Sequence, residues 1–246
     1  MRVSKPVRIS LIALAVTPLA FGLGLLLASV HPVMLPLLPT LALYPAYIVL
    51  VLKNRLRLTV VTVLAWALIL TVLMVLATLT YGERVGAIVI KGPEYKEEMF
   101  HWMRTGKGPE GDPKLFLAPK VRELLVFSLA SFATAGFAGL LMGAILLNYM
   151  NYYVGMLLLH AVPGAELLVA LLSWPIYAIL RVPGYVCLGV ALSRLCVNLA
   201  RERKLKIGEV KSLLKVAVIL IALDFILKGT VANAFYRPLL RELTSV

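Results

Sequence analysis

Residues 57–80 read RLTVVTVLAWALILTVLMVLATLT, an apolar run in which Arg57 is the only charged residue. A helix needs about 20 apolar residues to cross a bilayer, because the hydrocarbon core is about 30 Å thick and each residue adds about 1.5 Å. This stretch is therefore predicted to be a transmembrane helix.

The rest of the chain has the same character. Hydrophobic residues make up 61% of the 246 residues and the mean hydropathy is +0.93, whereas soluble domains are roughly 45–50% apolar. We predict an all-α transmembrane bundle of about seven spans, forming a single domain over residues 1–246. The predicted spans are residues 9–30, 33–52, 57–80, 123–148, 154–180, 184–200 and 211–232. The chain has no glutamine and many Lys, Arg and Glu residues, which favours a heat-loving prokaryote as its source.

Basic residues between the spans predict the orientation. The three groups are Arg2, Lys5 and Arg8, then Lys53, Arg55 and Arg57, and finally seven residues between Arg194 and Lys215. All three fall on the cytoplasmic side, where Lys and Arg are enriched, if the amino terminus is cytoplasmic. We therefore expect a multi-pass protein of the cell membrane whose basic residues meet lipid head groups. The formal charge of +13 does not indicate nucleic-acid binding, because the basic residues are not gathered on one soluble face.

The loop over residues 81–122 is predicted to lie outside the cytoplasm. Pro93 at a helix start and Gly106 at a helix stop predict a short helix between them. Because Tyr95, Met99 and Trp102 share one face, we expect this helix to lie in the membrane interface with its aromatic side among the head groups. A helix that only covers the bundle is the alternative.

Small residues recur at i+4 spacing along the fourth predicted span, at Ser131, Ala135, Gly139 and Gly143. Such a row lets two helices approach closely in lipid, so we predict a helix-packing face. The partner is either another span of this chain or a second membrane protein, including a second copy.

Two stretches hint at an internal repeat. Residues 44–50 read YPAYIVL and residues 174–180 read WPIYAIL, so both follow an aromatic-Pro-x-Tyr-x-x-Leu pattern. The predicted spans that contain them run in opposite directions, which is compatible with an inverted three-plus-three repeat followed by one extra span.

Asp224 is the most deeply placed carboxylate of the predicted spans. An isolated ionised carboxylate is costly in lipid. Lys228 lies four residues further on, the spacing at which side chains on one helix face meet, so a local ion pair is predicted. The alternative is that Asp224 faces the bundle interior as a proton or cation site.

His160 and Glu166 flank Pro163 and Gly164 in the fifth predicted span. Proline removes a helical hydrogen bond and glycine tolerates unusual backbone angles, so the helix is predicted to break here. If the break lies within the membrane, His160 and Glu166 are candidates for a transport site. The alternative is a cytoplasmic turn.

Residues 148–153 read NYMNYY. We interpret them as an interfacial belt of amphipathic rings, with Asn148 and Asn151 in a gate or ligand contact as the alternative. Glu98 and His101 have the Glu-x-x-His spacing of di-iron bundles. Those sites need a second such motif and further carboxylates, so no metal site is predicted and any cofactor is unknown.

Motifs of known enzyme classes are missing from the sequence: HExxH, GxSxG, the P-loop and the dinucleotide fingerprint. Glu97 and Glu98 only partly match the Glu-Glu-x-x-x-Arg motif of intramembrane prenyl-protein proteases, because Arg104 comes too late. We assign no family. The predicted function is a small transporter or channel-like permease rather than an enzyme, with a non-catalytic membrane subunit as first alternative and an intramembrane enzyme as second.

Overall fold

The computed structural model describes residues 4–246, and over that range the chain is helical without a β-strand. The α-helices are α1 (Lys5–Leu27), α2 (Met34–Leu52), α3 (Leu56–Tyr81), α4 (Gly92–Thr105), α5 (Pro113–Ala133), α6 (Phe137–Leu159), α7 (Glu166–Leu172), α8 (Ile176–Glu202), α9 (Ile207–Val231) and α10 (Arg237–Leu243). A 3-10 helix covers Gly82–Ile88 and a π-helical turn covers Ala232–Tyr236.

Five helices are long and apolar enough to cross a membrane: α1, α2, α3 with the 3-10 helix after it, α6 and α8. Helices α5 and α9 have 21 and 25 residues, but both carry several charged residues along their length. The all-helical membrane fold is thus supported, whereas the predicted count of seven spans is not confirmed.

The bundle has two ends. We call the end with the turns between α2 and α3 and between α8 and α9 the basic end, and the opposite end, with residues 82–112, the loop end. At the basic end, Thr62 of α3 donates to Ser10 of α1 (3.1 Å), and Arg194 of α8 donates from Nη1 to the Val51 carbonyl of α2 (3.1 Å). The predicted basic groups all lie there, except Arg2, which is outside the described residues. At the loop end, the Phe100 ring of α4 contacts the His160 ring after α6, with centroids 5.3 Å apart. Helices α7 and α10 lie at the loop end as well.

The fourth predicted span, residues 123–148, is not one helix. Ala135 and Gly136 have φ angles of 47° and 96°, in the left-handed region that few side chains adopt. They reverse the chain between α5 and α6, which form a hairpin. A Cβ atom at Gly136 would overlap Ser193 Oγ and the Tyr47 ring, so only glycine lets this turn pack against α2 and α8.

The fifth predicted span, residues 154–180, was also wrong. Helix α6 ends at Leu159, Gly164 reverses the chain with φ 87°, and α8 begins only at Ile176. The break is a turn, as the alternative held. It lies at the loop end, where Ala161 pairs with Thr244, whereas the alternative placed this turn on the same side as the three basic groups.

The inverted repeat is not confirmed. Helices α2 and α8 both run from the loop end to the basic end, although an inverted pair must run in opposite directions. Pro45 lies inside α2, whereas Pro175 precedes the first residue of α8. The two matching stretches therefore occupy different structural positions.

Helix α4 lies where its predicted start and stop signals place it, but its aromatic face points inward. Met99 and Trp102 are buried, and the Tyr95 ring packs on the Tyr149 ring of α6 with centroids 4.8 Å apart. Trp102 Nε1 also donates to Asn233 Oδ1 after α9 (2.7 Å). The aromatic face thus packs against protein, and the expected contact with lipid head groups is not formed.

Candidate functional site

Asp224 is fully buried and paired with an arginine from another helix. Arg181 of α8 donates from Nε and Nη2 to the two carboxylate oxygens of Asp224, at 2.8 and 2.9 Å. This two-point geometry matches the guanidinium fork to the carboxylate and is among the stronger charge-assisted contacts. The predicted pairing of Asp224 with Lys228 was wrong, because Arg181 of α8 occupies both carboxylate oxygens of Asp224.

Lys228 pairs instead with Glu110 of the loop between α4 and α5, at 2.7 Å. Both residues are buried, and the ammonium also lies 5.1 Å from the centre of the Phe116 ring. Burial raises the pKa of the Glu110 carboxyl, but the nearby Lys228 ammonium outweighs it and leaves the pKa below its ordinary value. The loop is thus tied into the bundle by an ion pair.

A third pair lies on α5 close to Arg181. Lys120 donates to Glu123 at 3.1 Å, and the Tyr185 hydroxyl of α8 donates to the same carboxylate oxygen at 3.1 Å. We call the residues of the three ion pairs, together with Tyr185, the loop-end network. Its seven members are Glu110, Lys120, Glu123, Arg181, Tyr185, Asp224 and Lys228. Each of its three cations contacts one of its three carboxylates, so the network is neutral in sum.

A chamber of about 90 Å³ lies between α3, the α5–α6 hairpin and α8, just beyond the network. Arg181, Glu123 and Tyr185 border it at one side, and most of its remaining wall is apolar. Two buried polar groups on this wall, Trp66 Nε1 and Ser131 Oγ, have no hydrogen-bond partner among the described residues. Buried polar groups are normally paired, and these two exceptions have almost no surface that a guest in the chamber could reach.

Helix α8 carries a stripe of residues facing this interior. Arg181, Tyr185, Gly189 and Ser193 follow one another at i+4 spacing, and all are buried. At the far end of the stripe the Tyr47 hydroxyl of α2 lies 2.7 Å from Ser193 Oγ. The stripe therefore connects the loop-end network with the level at which α5 turns into α6.

A second, larger cavity of about 680 Å³ lies between α3, α6 and α8 at the loop end. Glu110 and Arg181 border it, together with Tyr95 and Tyr177. Its other walls are mainly apolar. We call it the lateral cleft, because Leu68, Val72 and Ile179 at its border are largely exposed on the outside of the bundle.

The predicted polar candidates do not converge on one site. His160 Nδ1 lies 2.8 Å from the Met156 carbonyl, and Glu166 accepts from the Gly164 amide at 3.2 Å on an exposed turn. Neither borders the chamber or the lateral cleft. Asp224 lies apart from His160 and Glu166, in its pair with Arg181.

Asn148 and Asn151 lie inside the bundle instead of in a surface belt. Asn151 donates to Thr71 at 3.1 Å and accepts from Trp174 Nε1 at 3.0 Å, and it borders the lateral cleft. Asn148 Oδ1 is buried without a partner among the described residues. The alternative of a ligand contact thus remains a prediction.

The predicted small-residue row is bent by the turn at Ala135. Ser131 ends up facing Gly139 across the hairpin, where a Cβ atom on Gly139 would overlap Ser131 Oγ. Gly143 borders the chamber and has open space around its Cα. The close approach that the pattern predicts therefore joins α5 to α6.

Sequence reasoning missed Glu110 and Arg181 as functional candidates. Glu110 sits in the turn-rich stretch GKGPEGDP, where an acidic residue gives no sign of burial. Arg181 was assigned to a short connection between two spans, although α8 continues through it. Its apolar neighbours Leu180 and Val182 were the one available signal.

Comparisons with known proteins found no matching family model, no similar curated protein and no similar solved structure. Among residues 4–246, no group of three or more His, Cys, Asp or Glu side chains is placed to hold a metal ion. The chamber, the lateral cleft and the loop-end network are the features of the structure that bear on function.

Proposed function

We propose that the protein is a small membrane permease whose translocation path follows the interior stripe of α8. The observation that carries the proposal is the chamber itself, whose mostly apolar wall carries the polar side chains of Arg181, Glu123 and Tyr185 at one side. Polar groups at the edge of an apolar wall favour a polar guest. A volume of about 90 Å³ suits an ion with some water or a solute of a few atoms.

Contacts close the chamber toward both ends of the bundle, whereas its side at Gly143 is partly exposed. Toward the loop end, the Arg181 and Asp224 pair and the Lys120 and Glu123 pair separate it from the surface. Toward the basic end, the contact between Tyr47 and Ser193 lies at the hairpin turn, against Gly136. Alternating-access permeases need closures of this kind on either side of a central site.

The orientation is part of the proposal. We propose that the basic end faces the cytoplasm of a cell membrane, because Lys and Arg are retained there. A Gly108→Cys variant, with Cys187 and Cys196 replaced by serine, tests this. An impermeant thiol reagent is expected to label position 108 in intact cells, and labelling only after lysis would reverse the orientation.

Permeation is favoured over catalysis because the loop-end network is neutralised within itself. Arg181 and Lys228 each contact a buried carboxylate, so neither of them is poised as a free acid or base. A non-catalytic membrane subunit is the second candidate. Asp224 is buried and paired with Arg181, which is the arrangement expected of a carboxylate with a purely structural role. The partner of such a subunit, or a second copy of the chain, would pack near the partly exposed Gly143.

The test uses purified protein in phosphatidylcholine vesicles, with proton, sodium, potassium and chloride gradients imposed in turn. Gly143→Leu places a side chain in the chamber, where the Cα has open space. Gly22→Leu in α1 is the matched control, because Gly22 also has open space but lies away from the chamber. We expect flux through the wild type and Gly22→Leu and a loss of flux in Gly143→Leu. Absence of wild-type flux under every gradient would contradict the proposal.

A further inference from the structure

The lateral cleft opens sideways from the bundle. Leu68, Val72 and Ile179 at its border are 64%, 49% and 53% exposed. Large apolar side chains in that position face hydrocarbon in a membrane. A molecule dissolved in the bilayer therefore has a route into the cleft that does not pass through water.

The inner end of the cleft is polar but neutral. Glu110 is held by Lys228, and Arg181 uses Nε and Nη2 on Asp224. Arg181 Nη1 and the Tyr95 hydroxyl make no hydrogen bond within the described part of the chain. The cleft thus offers hydrogen bonds without a net charge to attract an ion.

We infer that the lateral cleft binds an amphiphile with an uncharged polar head, such as a monoacylglycerol. The hydrocarbon chain would lie along the apolar walls formed by α3 and α8, and a hydroxyl or ester head would meet Arg181 Nη1 and Tyr95. A volume of about 680 Å³ is within the roughly 300–1,000 Å³ range of ligand sites.

Charge balance selects this class of head group. An anionic head would compete with Asp224 for Arg181 and would lie close to the Glu110 carboxylate. A cationic head would compete with Lys228 for Glu110 and would lie close to the Arg181 guanidinium. Either one would add a charge to a site whose own charges are already paired, and burying a charge without a counter-charge is unfavourable. A neutral head leaves both pairs intact.

Trp174 borders the cleft and reports on its occupancy. A monoacylglycerol with a brominated chain quenches tryptophan fluorescence at short range, so binding to detergent-purified protein is expected to give saturable quenching. Excess unbrominated monoacylglycerol should reverse it. Lysophosphatidate with the same brominated chain, which carries an anionic head, should bind at least about tenfold more weakly.

Two valine variants on α3 locate the site. Val72→Phe narrows the cleft border, and Val61→Phe is the matched control, because Val61 is 61% exposed but borders neither cavity. We expect at least about a tenfold loss of affinity for Val72→Phe and none for Val61→Phe. Non-saturable quenching, equal binding of both lipids, or equal affinity of the two variants would overturn the inference. The assay needs no flux, and Gly143→Leu should retain binding, so its outcome is separate from that of the permease test.

Discussion

At the loop end, Arg181 and Lys228 lie inside the bundle and each contacts a carboxylate from a distant part of the chain, whereas at the basic end Lys53, Arg55 and Arg203 are exposed. Water and lipid head groups solvate the exposed cations, so those residues need no fixed partner. A buried cation has lost that solvation and depends on its counter-charge. The same residue types therefore stay solvated at the surface at one end and hold helices together at the other.

Removing a partner at the loop end should have the largest effect on stability. Asp224→Asn keeps the shape of the side chain but leaves the Arg181 guanidinium buried without its counter-charge. We expect a loss of about 3–5 kcal/mol in the free energy of unfolding, measured by thermal or denaturant unfolding in detergent. A variant as stable as the wild type would mean that the pair is not buried.

The hairpin turn offers a sharp comparison between two glycines of α6. A Cβ atom at Gly139 would overlap Ser131 Oγ, whereas Gly143 has open space. Gly139→Ala should destabilise by about 1–3 kcal/mol because the hairpin is overpacked. Gly143→Ala should be neutral or stabilising by up to about 1 kcal/mol, because alanine favours the helix. Equal melting temperatures for the two variants would show that α5 and α6 do not meet at Gly139.

Much of the first half of the fold was predictable, and the reason is physical. Helices α1 to α3 begin and end close to the predicted limits, because charged or proline-containing turns bound each apolar run. The turn at residues 134–136 reads TAG and contains no charge. Hydropathy is insensitive to a turn of that kind, so one span was predicted in place of a hairpin.

The wrong predictions for Arg181 and Asp224 in the loop-end network have a different cause. Hydropathy ends a span at a charge, so predicted spans stopped on either side of Arg181, although α8 runs through it. The i+4 rule then assigned Lys228 to Asp224, because it considers only residues on one helix. The observed partners are 43 residues away for Asp224 and 118 residues away for Lys228. Only the tertiary structure brings those pairs together.

Acid should weaken the loop-end network through Glu110. Its pKa is lowered in the folded protein, so its stabilising effect is complete above the pKa of the unfolded chain, about 4.3. The effect is lost as the pH falls through the folded-state pKa. The stability difference between wild type and Glu110→Gln should therefore shrink from neutral pH to about pH 3. A difference that stays constant over that range would contradict the burial of this pair.

The smallest effect is expected at the basic end. Glu209 accepts from Arg194 Nε at 2.9 Å, but its side chain is partly exposed and Arg194 also donates to the Val51 carbonyl. Arg194 is buried, but solvent reaches the Glu209 carboxylate and the Val51 carbonyl still accepts from Arg194, so Glu209→Gln should cost less than about 1 kcal/mol. Unfolding in detergent measures this, and a loss as large as that of Asp224→Asn would remove the contrast between the two ends.

The most direct test of the central claim, that buried long-range ion pairs organise the loop end, is a charge swap. Asp224→Arg and Arg181→Asp each place two like charges in contact, and each variant alone should unfold at a much lower temperature than the wild type. The double variant restores one positive and one negative charge between α8 and α9, so it should recover a large part of the lost melting temperature. A double variant no more stable than either single variant would contradict the account.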